Sequence, residues 1–458
     1  MTTKYDAIII GTGQAGPSLA GRLAGSGMKV AVIERKRFGG TCVNNGCIPT
    51  KTLIASARAA YVARRGAEFG VMIESPITVD MKKVKARKDA VVRRSNEGVE
   101  KFMKTTENIT VYEGHARFES SHTVRVGDEL LEAEKIFINV GGRASTPAIP
   151  GLDQVSHFNN SSMMEVDFLP EHLLIVGGSY IGLEFGQMYR RFGSEVTIVE
   201  KGPRLIARED TDVSDAIKEI LENEGINIHL NAECIGVERD GDKIAMNLNC
   251  DSGEKITGSH LLLAVGRVPN THDLGLEKAG ITVNKRGYIQ VDDQLRTNVE
   301  GVYALGDCNG RGAFTHTAYN DFEIVAANLL DNDPRRVSDR ITAYALYIDP
   351  PLGRGGMSED EVRKSGRKAL RAKRAMERVG RAFEKGETLG FMKILVDAET
   401  KEILGASLLG IECDEIIHII LDVMYAKAPY TVIQRAMHIH PTVAELLPTM
   451  LGELEPFE

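Results

Sequence analysis

Tyr5-Asp6-Ala7-Ile8-Ile9-Ile10, followed by Gly11-Thr12-Gly13-Gln14-Ala15-Gly16, is the stretch on which the fold turns. After it come a helix-like segment, Pro17 to Ala24, a second apolar run, Val30 to Ile33, and then Glu34. The order is strand, turn, helix, strand. Glycines at these places permit a tight turn and the close approach of backbone N–H groups to a pyrophosphate at the helix N-terminus, and Glu34 is placed to accept from ribose hydroxyls. A glycine triplet alone says little; flanked by strand and helix and closed by an acid, it says much more.

The pattern returns. Leu173 to Val176 leads into Gly177-Gly178-Ser179-Tyr180-Ile181-Gly182, a helical stretch to Phe192, the run Val196 to Val199, and Glu200. Glu34 and Glu200 stand at the same interval, 23 residues, from Gly11 and Gly177. Two such units imply two dinucleotides, which a binding module or a single-cofactor dehydrogenase would not need. Ser179 replaces the middle glycine of the second unit, where a side chain would restrict the backbone approach.

A chain of 458 residues has room for about three domains. Its net charge of -8 argues against a general nucleic-acid binder, although Arg363 to Arg381 is locally very basic and reads as a solvated helix or loop face. The start of the chain lacks the regions of a signal peptide and no apolar run reaches membrane-spanning length, so a cytoplasmic protein is expected. Six cysteines in so long a chain make no structural disulfide framework. Cys234, Cys250, Cys308 and Cys413 are scattered and read as buried small hydrophobes.

Cys42 and Cys47, within Gly39-Gly40-Thr41-Cys42-Val43-Asn44-Asn45-Gly46-Cys47-Ile48-Pro49-Thr50-Lys51, are different. They lie just ahead of a helix-like run, Thr52 to Arg65. A disulfide across so small a loop adds little stability, and a helix start favours the thiolate that exchange requires, so the spacing favours a redox pair. Half of a zinc site or two unpaired buried thiols are the alternatives, but no second close Cys/Cys or Cys/His pair follows.

Between the glycine motifs, Asp80 to Lys104 reads as a long helix and Ile109 to Val126 as short strands. Lys135 to Val140 with Gly141-Gly142-Arg143, and Leu261 to Val265 with Gly266-Arg267-Val268-Pro269-Asn270, each read as a strand ending in a crossover. Gly301 to Asp307 is a further strand with an acid at its end, suited to hold a polyol hydroxyl. From about Ile341 an α+β domain follows, with a hairpin of Phe391 to Val396 and Ile403 to Leu409, and a helix from Asp414 to Tyr425. Its last segment carries His440-Pro441-Thr442-Val443-Ala444-Glu445. Pro441 fits the first turn of a helix, and that turn would bring Glu445 back to the His440 ring and support it as a base.

Taken together, these motifs resemble the pyridine nucleotide-disulfide oxidoreductases, such as dihydrolipoamide dehydrogenase, glutathione reductase and mercuric reductase. The resemblance covers essentially the whole length. It implies an α/β chain with two Rossmann-like dinucleotide-binding domains followed by an α+β dimerisation domain. FAD is expected in a domain formed by residues 1–150 and 271–340, NAD(H) or NADP(H) at 151–270, and dimerisation through 341–458. By the family pattern Cys47 faces the flavin, Cys42 exchanges with substrate, and His440 with Glu445 shuttles the proton in the partner's site. Lys51 and Glu184 match the ion pair beside flavin N5, and Tyr180 the aromatic that covers the empty nicotinamide site. Cofactor contacts are expected from Gly11, Gly13, Gly16, Glu34, Gly40, Thr41, Lys51, Gly142 and Asp307, and from Gly177, Tyr180, Ile181, Gly182, Glu200 and Gly266; no metal ligand is expected.

Glu200 favours NAD(H) over NADP(H), with Lys201 and Arg204 close enough to soften the choice. The terminal histidine, and a C-terminus without a vicinal cysteine pair, favour a disulfide or dithiol substrate in the manner of dihydrolipoamide dehydrogenase. Thr41-Cys42-Val43-Asn44, Leu446-Leu447-Pro448-Thr449-Met450 and Asp349-Pro350-Pro351-Leu352 pull instead toward a mercuric-reductase-like metal or oxidant-response reductase. A glutathione reductase has Pro-Lys-Lys where this chain has Pro49-Thr50-Lys51. A redox-inactive flavoprotein would be expected to lose Cys42, Cys47 or His440, and all are present.

Overall fold

The computed structural model describes residues 2–232, 235–248 and 255–457. Ala7, Ile8, Ile9 and Ile10 are buried in the strand Thr2–Ile10, which pairs in parallel with Val30–Glu34 on one side and Glu129–Ile138 on the other. Parallel strands are covered on both faces, which is why this one reads as an unbroken apolar run. Ile109–Glu113 extends the sheet beyond Val30–Glu34, and Val302–Ala304 joins it against Glu129–Ile138. The strand that carries Asp307 at its end therefore returns to the first sheet from far along the chain. The helix α1 (Ala15–Gly25) crosses between the first two strands.

The short helix α2 (Gly40–Asn45) leads directly into α3 (Cys47–Arg64), so the helix after the cysteine pair begins at Cys47, earlier than the expected Thr52. Pro49 is compatible with this early start, because the N–H it lacks would have no partner in a first turn. The helix α4 (Met81–Thr105) is capped by the Asp80 carboxylate, which accepts from the Lys83 N–H.

A second parallel sheet repeats the scheme, in the order Asn227–His229, Glu195–Val199, His172–Val176, His260–Leu263. Its crossover helix is α5 (Tyr180–Phe192), and α6 (Thr211–Asn223) follows. The two expected crossovers meet, Gly142–Ala144 pairing antiparallel with Arg267–Pro269.

The last unit is a six-stranded antiparallel sheet containing the expected hairpin, with the helix Cys413–Tyr425 laid on it. Gly353 lies beneath that helix; a Cβ there would come 2.3 Å from the Cys413 carbonyl oxygen. The basic stretch corrects the sequence reading. Ala369–Ala375 is an inner strand of this sheet, paired on both sides, and its charges pair with carboxylates: Arg371 with Glu359, Lys373 with Asp212 and Arg374 with Glu453. Helix α7 (Thr315–Ala326) lies between this unit and the first sheet in the chain.

Candidate active site

Each glycine loop is shaped by steric necessity. A Cβ on Gly16 would lie 2.4 Å from the Gly11 carbonyl oxygen, and one on Gly182 would lie 1.9 Å from that of Gly177. Gly11 and Gly177 have φ of +100° and +116°, which side chains rarely adopt. Ser179, at the middle position of the second loop, has φ of -114°, so no glycine is required there. The acids close the loops alike: Glu34 accepts from the Thr12 N–H at 3.0 Å and hydroxyl at 2.6 Å, and Glu200 from the Gly178 N–H at 2.6 Å. Gly40 begins α2, where a Cβ would come 2.7 Å from the Gly13 Cα, and Thr41 follows it. Bare backbone at Gly13 and Gly40 thus faces the N-terminus of α1, a cradle that fits a dinucleotide pyrophosphate.

Asp307 lies in a 3₁₀ turn, Gly306–Asn309, just past the returning strand and beside Gly142 and Arg267, and burial pushes its carboxyl up. Its nearest charged partner, Arg267, is 3.6 Å away, leaving the carboxylate suited to polyol hydroxyls. A cleft of about 1000 Å³ runs alongside, lined among others by Gly142, Arg208, Arg267, Asp307, Phe314 and Tyr344. Gly266 precedes Arg267 with φ of +108°, and Ile181 packs on the core of the second sheet. The Tyr180 ring stands edge-on to Phe314 and Tyr344, with the Arg208 guanidinium 5.0 Å from its centroid.

At the redox centre Cys47 is the first residue of α3, and its Sγ lies 3.0 Å from Oγ1 of Thr315, the first residue of α7. Two helix N-termini therefore meet at one sulfur, where their dipoles favour a thiolate. The Cys47 thiol is pulled down to about 6, chiefly by a hydrogen bond from Cys42, with Thr315 and the Lys51 charge adding to it against burial. Cys42 moves the opposite way, because it keeps the proton it donates to Cys47 and is itself partly buried. One turn along α3, Lys51 Nζ reaches both Glu184 carboxylate oxygens on α5, at 2.9 and 2.8 Å. The Tyr347 N–H donates to the same carboxylate at 3.1 Å. Thr315 and Tyr347 were missed from sequence; nothing in their neighbourhoods marks them, and only the packing of distant elements brings them here.

His440 Nδ1 lies 3.0 Å from both oxygens of Glu445, and its side chain is 81% exposed. The pairing is as expected but the helix is not. Pro441 lies in an irregular segment and the helix begins at Leu446, so it is the turn before that helix that brings Glu445 back. Among the described residues no hydrogen bond joins His440 to Cys42 or Cys47. Met437 and Ile439 beside it are 99% and 80% exposed, an apolar surface of the kind a subunit interface covers.

Cys308 and Cys413 are buried, whereas Cys234 and Cys250 lie outside the described residues. Asp210, Asp212 and Glu359 converge closely enough to hold a cation, but the Lys393 ammonium reaches all three, at 2.9, 2.7 and 2.9 Å. That cluster is an ion-pair core between the second sheet's unit and the last one.

Comparison with known proteins agrees with this geometry. The family model described as pyridine nucleotide-disulphide oxidoreductase matches residues 5–321, and its dimerisation domain matches residues 342–451. The probable pyridine nucleotide-disulfide oxidoreductase RclA of Escherichia coli is 36% identical, over 97% of this chain and 98% of that protein. A dihydrolipoyl dehydrogenase of Haloferax volcanii is 32% identical, over 97% and 95% respectively. A mercuric reductase of Streptomyces lividans is likewise 32% identical, over 97% and 95%. A solved structure, the Cu(II) complex of the HOCl-induced flavoprotein disulfide reductase RclA from Escherichia coli, superposes with a TM-score of 0.90 at 35% identity, covering 99% of this chain and 100% of that one.

Proposed function

The chain belongs to the pyridine nucleotide-disulfide oxidoreductases, flavoproteins that bind FAD and use NAD(P)H, and on that premise we propose that it reduces disulfide-type substrates through Cys42 and Cys47. The observation that carries this reading is the Cys47 sulfur at the meeting of two helix N-termini, with Cys42 behind it and Lys51–Glu184 beside it. Bound FAD supplies the conversion of a hydride from NAD(P)H into an electron pair for the cysteine disulfide. Once that disulfide is reduced, the Cys42 sulfur attacks one sulfur of the substrate disulfide and the other leaves as a thiolate. The Cys47 thiolate then attacks Cys42 Sγ, which releases the second substrate sulfur and re-forms the Cys42–Cys47 disulfide. His440, steadied by Glu445, takes the Cys42 proton and returns it to a leaving thiolate.

We assign residues 1–150 and 271–340 to the FAD domain, 151–270 to the NAD(P) domain and 341–458 to a dimerisation domain through which His440 reaches the partner's cysteines. Glu200 supports NAD(H) as the preferred donor. No helix among the described residues is long and apolar enough to cross a membrane, and the unpaired Cys308 and Cys413 suit the reducing cytoplasm in which we place the protein.

A second reading, an oxidant-response or metal reductase, is favoured by the similarity to RclA, one structure of which is a Cu(II) complex. One experiment separates the two. NADH should bleach the flavin, and turnover is then compared on dihydrolipoamide, a disulfide panel, Cu(II) and Hg(II). Turnover of disulfides above the metal ions supports the first reading, the reverse order supports the second, and a flavin that neither NADH nor NADPH bleaches overturns both.

A further inference from the structure

We propose that Tyr347 is a positioning residue for the Lys51–Glu184 pair, holding the lysine beside Cys47 with its ring and the carboxylate with its backbone N–H. The Lys51 Nζ lies 4.5 Å from the Tyr347 ring centroid, while the Tyr347 N–H donates to Glu184 Oε1 at 3.1 Å. The ammonium is thus held by a carboxylate on one side and by the electron-rich face of an aromatic ring on the other.

Tyr347 lies in the segment that joins the strands Ala343–Leu346 and Leu352–Gly356, and that segment is fixed at its far end. The Asp349 N–H donates to Gln187 Oε1 at 2.7 Å, and Gln187 Nε2 donates back to the Asp349 carbonyl at 2.8 Å. The Asp349 carboxylate takes Arg58 from α3 and Arg191 from α5. Glu184, Gln187 and Arg191 share one face of α5, and Lys51 and Arg58 share one face of α3. The segment therefore runs along the seam between the two helices, anchored by Asp349 at one end and presenting Tyr347 to the redox centre at the other.

Lys51 acts on Cys47 through its charge, so its position sets the strength of the effect. Without the ring the ammonium regains rotamer freedom and water, and its pull on the sulfur weakens. The groups facing Cys47 are Cys42, Lys51, the Thr315 hydroxyl and Tyr347 itself; those facing Tyr347 are Lys51, Glu184, Asp414, Glu415 and Cys47. Burial and these carboxylates push the Tyr347 phenol up, so it stays neutral while Cys47 titrates.

The proposal rests on Cys47 being the flavin-side thiolate, and the test keeps the two apart. In Cys42→Ser holoenzyme carrying Tyr347, Tyr347→Phe or Tyr347→Leu, the rate of Cys47 alkylation by iodoacetamide is followed against pH, with the long-wavelength flavin absorbance recorded alongside. The phenylalanine protein should titrate with the parent. The leucine protein should shift its midpoint upward by about 0.3–0.7 pH unit, a loss of about two- to fivefold in thiolate below the midpoint. Tyr347→Met replaces the leucine variant should that protein lose flavin. A leucine or methionine midpoint equal to the parent's overturns the proposal, as does a phenylalanine protein shifted as far as the leucine one, which would give the role to the hydroxyl. A parent protein without the long-wavelength absorbance refutes the reading of Cys47, while the alkylation midpoints still decide on Tyr347.

Discussion

The titration of Cys47 should be visible in the flavin spectrum. With its thiol held down to about 6 by the Cys42 hydrogen bond, Thr315 and Lys51, the two-electron-reduced enzyme should carry a long-wavelength thiolate-to-flavin absorbance above that pH and lose it as acid protonates the sulfur. A spectrophotometric titration checks the midpoint, and Cys47→Ser should abolish the band. Cys42→Ser should leave flavin bound and reducible by NADH but end disulfide turnover; turnover at the wild-type rate would remove Cys42 from the exchange role. Glu200 makes a separate prediction. Its carboxylate already accepts from Gly178 and from the Gly202 N–H at 2.8 Å, which fixes it at the end of its strand, the place proposed above for the nucleotide ribose. Catalytic efficiency should be higher with NADH than NADPH, and Glu200→Arg should narrow or reverse the ratio through a charged hydrogen bond of about 1.5–3 kcal/mol. Arg204 is engaged by Thr211 and the Ala207 carbonyl.

At the scale of the element, a Cβ on Gly16 or Gly182 would meet a backbone carbonyl, whereas one on Gly21 or Gly186 in the same helices would meet the end of a side chain that can move. Gly182→Ala places a methyl 1.9 Å from the Gly177 carbonyl oxygen, which forces the loop away from α5 at a cost of about 1–3 kcal/mol. NADH affinity should fall by one to two orders of magnitude at that cost while FAD content is unchanged, since the first loop lies in another sheet. Gly25→Ala is the matched control: nothing lies within 4 Å of its Cβ position, so cofactor binding and thermal midpoint should hold or improve slightly. Equal effects of the two substitutions would mean that helix propensity, and not close approach, sets the response. The cysteine pair was legible at this scale because both sulfurs lie within one short run of chain. The basic stretch was not. Charge alone does not distinguish a solvated helix from an inner strand when the pairing carboxylates Glu359, Asp212 and Glu453 come from elsewhere.

For the whole molecule, the proposal that His440 serves the cysteines of a second subunit can be tested directly. The His440 side chain turns outward next to exposed Met437 and Ile439, on the unit whose sequence matches the family's dimerisation domain. Mixing inactive Cys42→Ser protein with inactive His440→Ala protein under subunit exchange should restore activity, because one of the two sites in the heterodimer then has both groups. Positioned acid–base catalysis is worth about 10²–10⁴-fold, so the signal should stand clear of either parent. Confirmed exchange without activity would give His440 another role. The junction of the units also depends on Lys393, 1% exposed among Asp210, Asp212 and Glu359. Lys393→Met removes the cation that all three carboxylates share, leaving Asp212 to Lys373 and Glu359 to Arg371, and should destabilise the fold by about 1–3 kcal/mol, read as a lowered denaturation midpoint.

By itself the sequence determined the two dinucleotide units, the acids that close them, the redox cysteines and the His440–Glu445 pair, since each depends on residues close enough in the chain to constrain one another through a turn or a single helix. Asp307 was legible too, as an acid at the end of an apolar run. The tertiary structure decided what surrounds the reactive sulfur. Thr315 lies 268 residues from Cys47, and Glu184 lies 133 from Lys51. Those distances are set by how α3, α5, α7 and the Tyr347 segment pack, and packing depends on side-chain volumes summed over whole cores that no local pattern encodes. The same physics placed Ala369–Ala375 inside a sheet and began α3 at Cys47, where the unpaired N–H groups of a helix start act on the thiol that needs them.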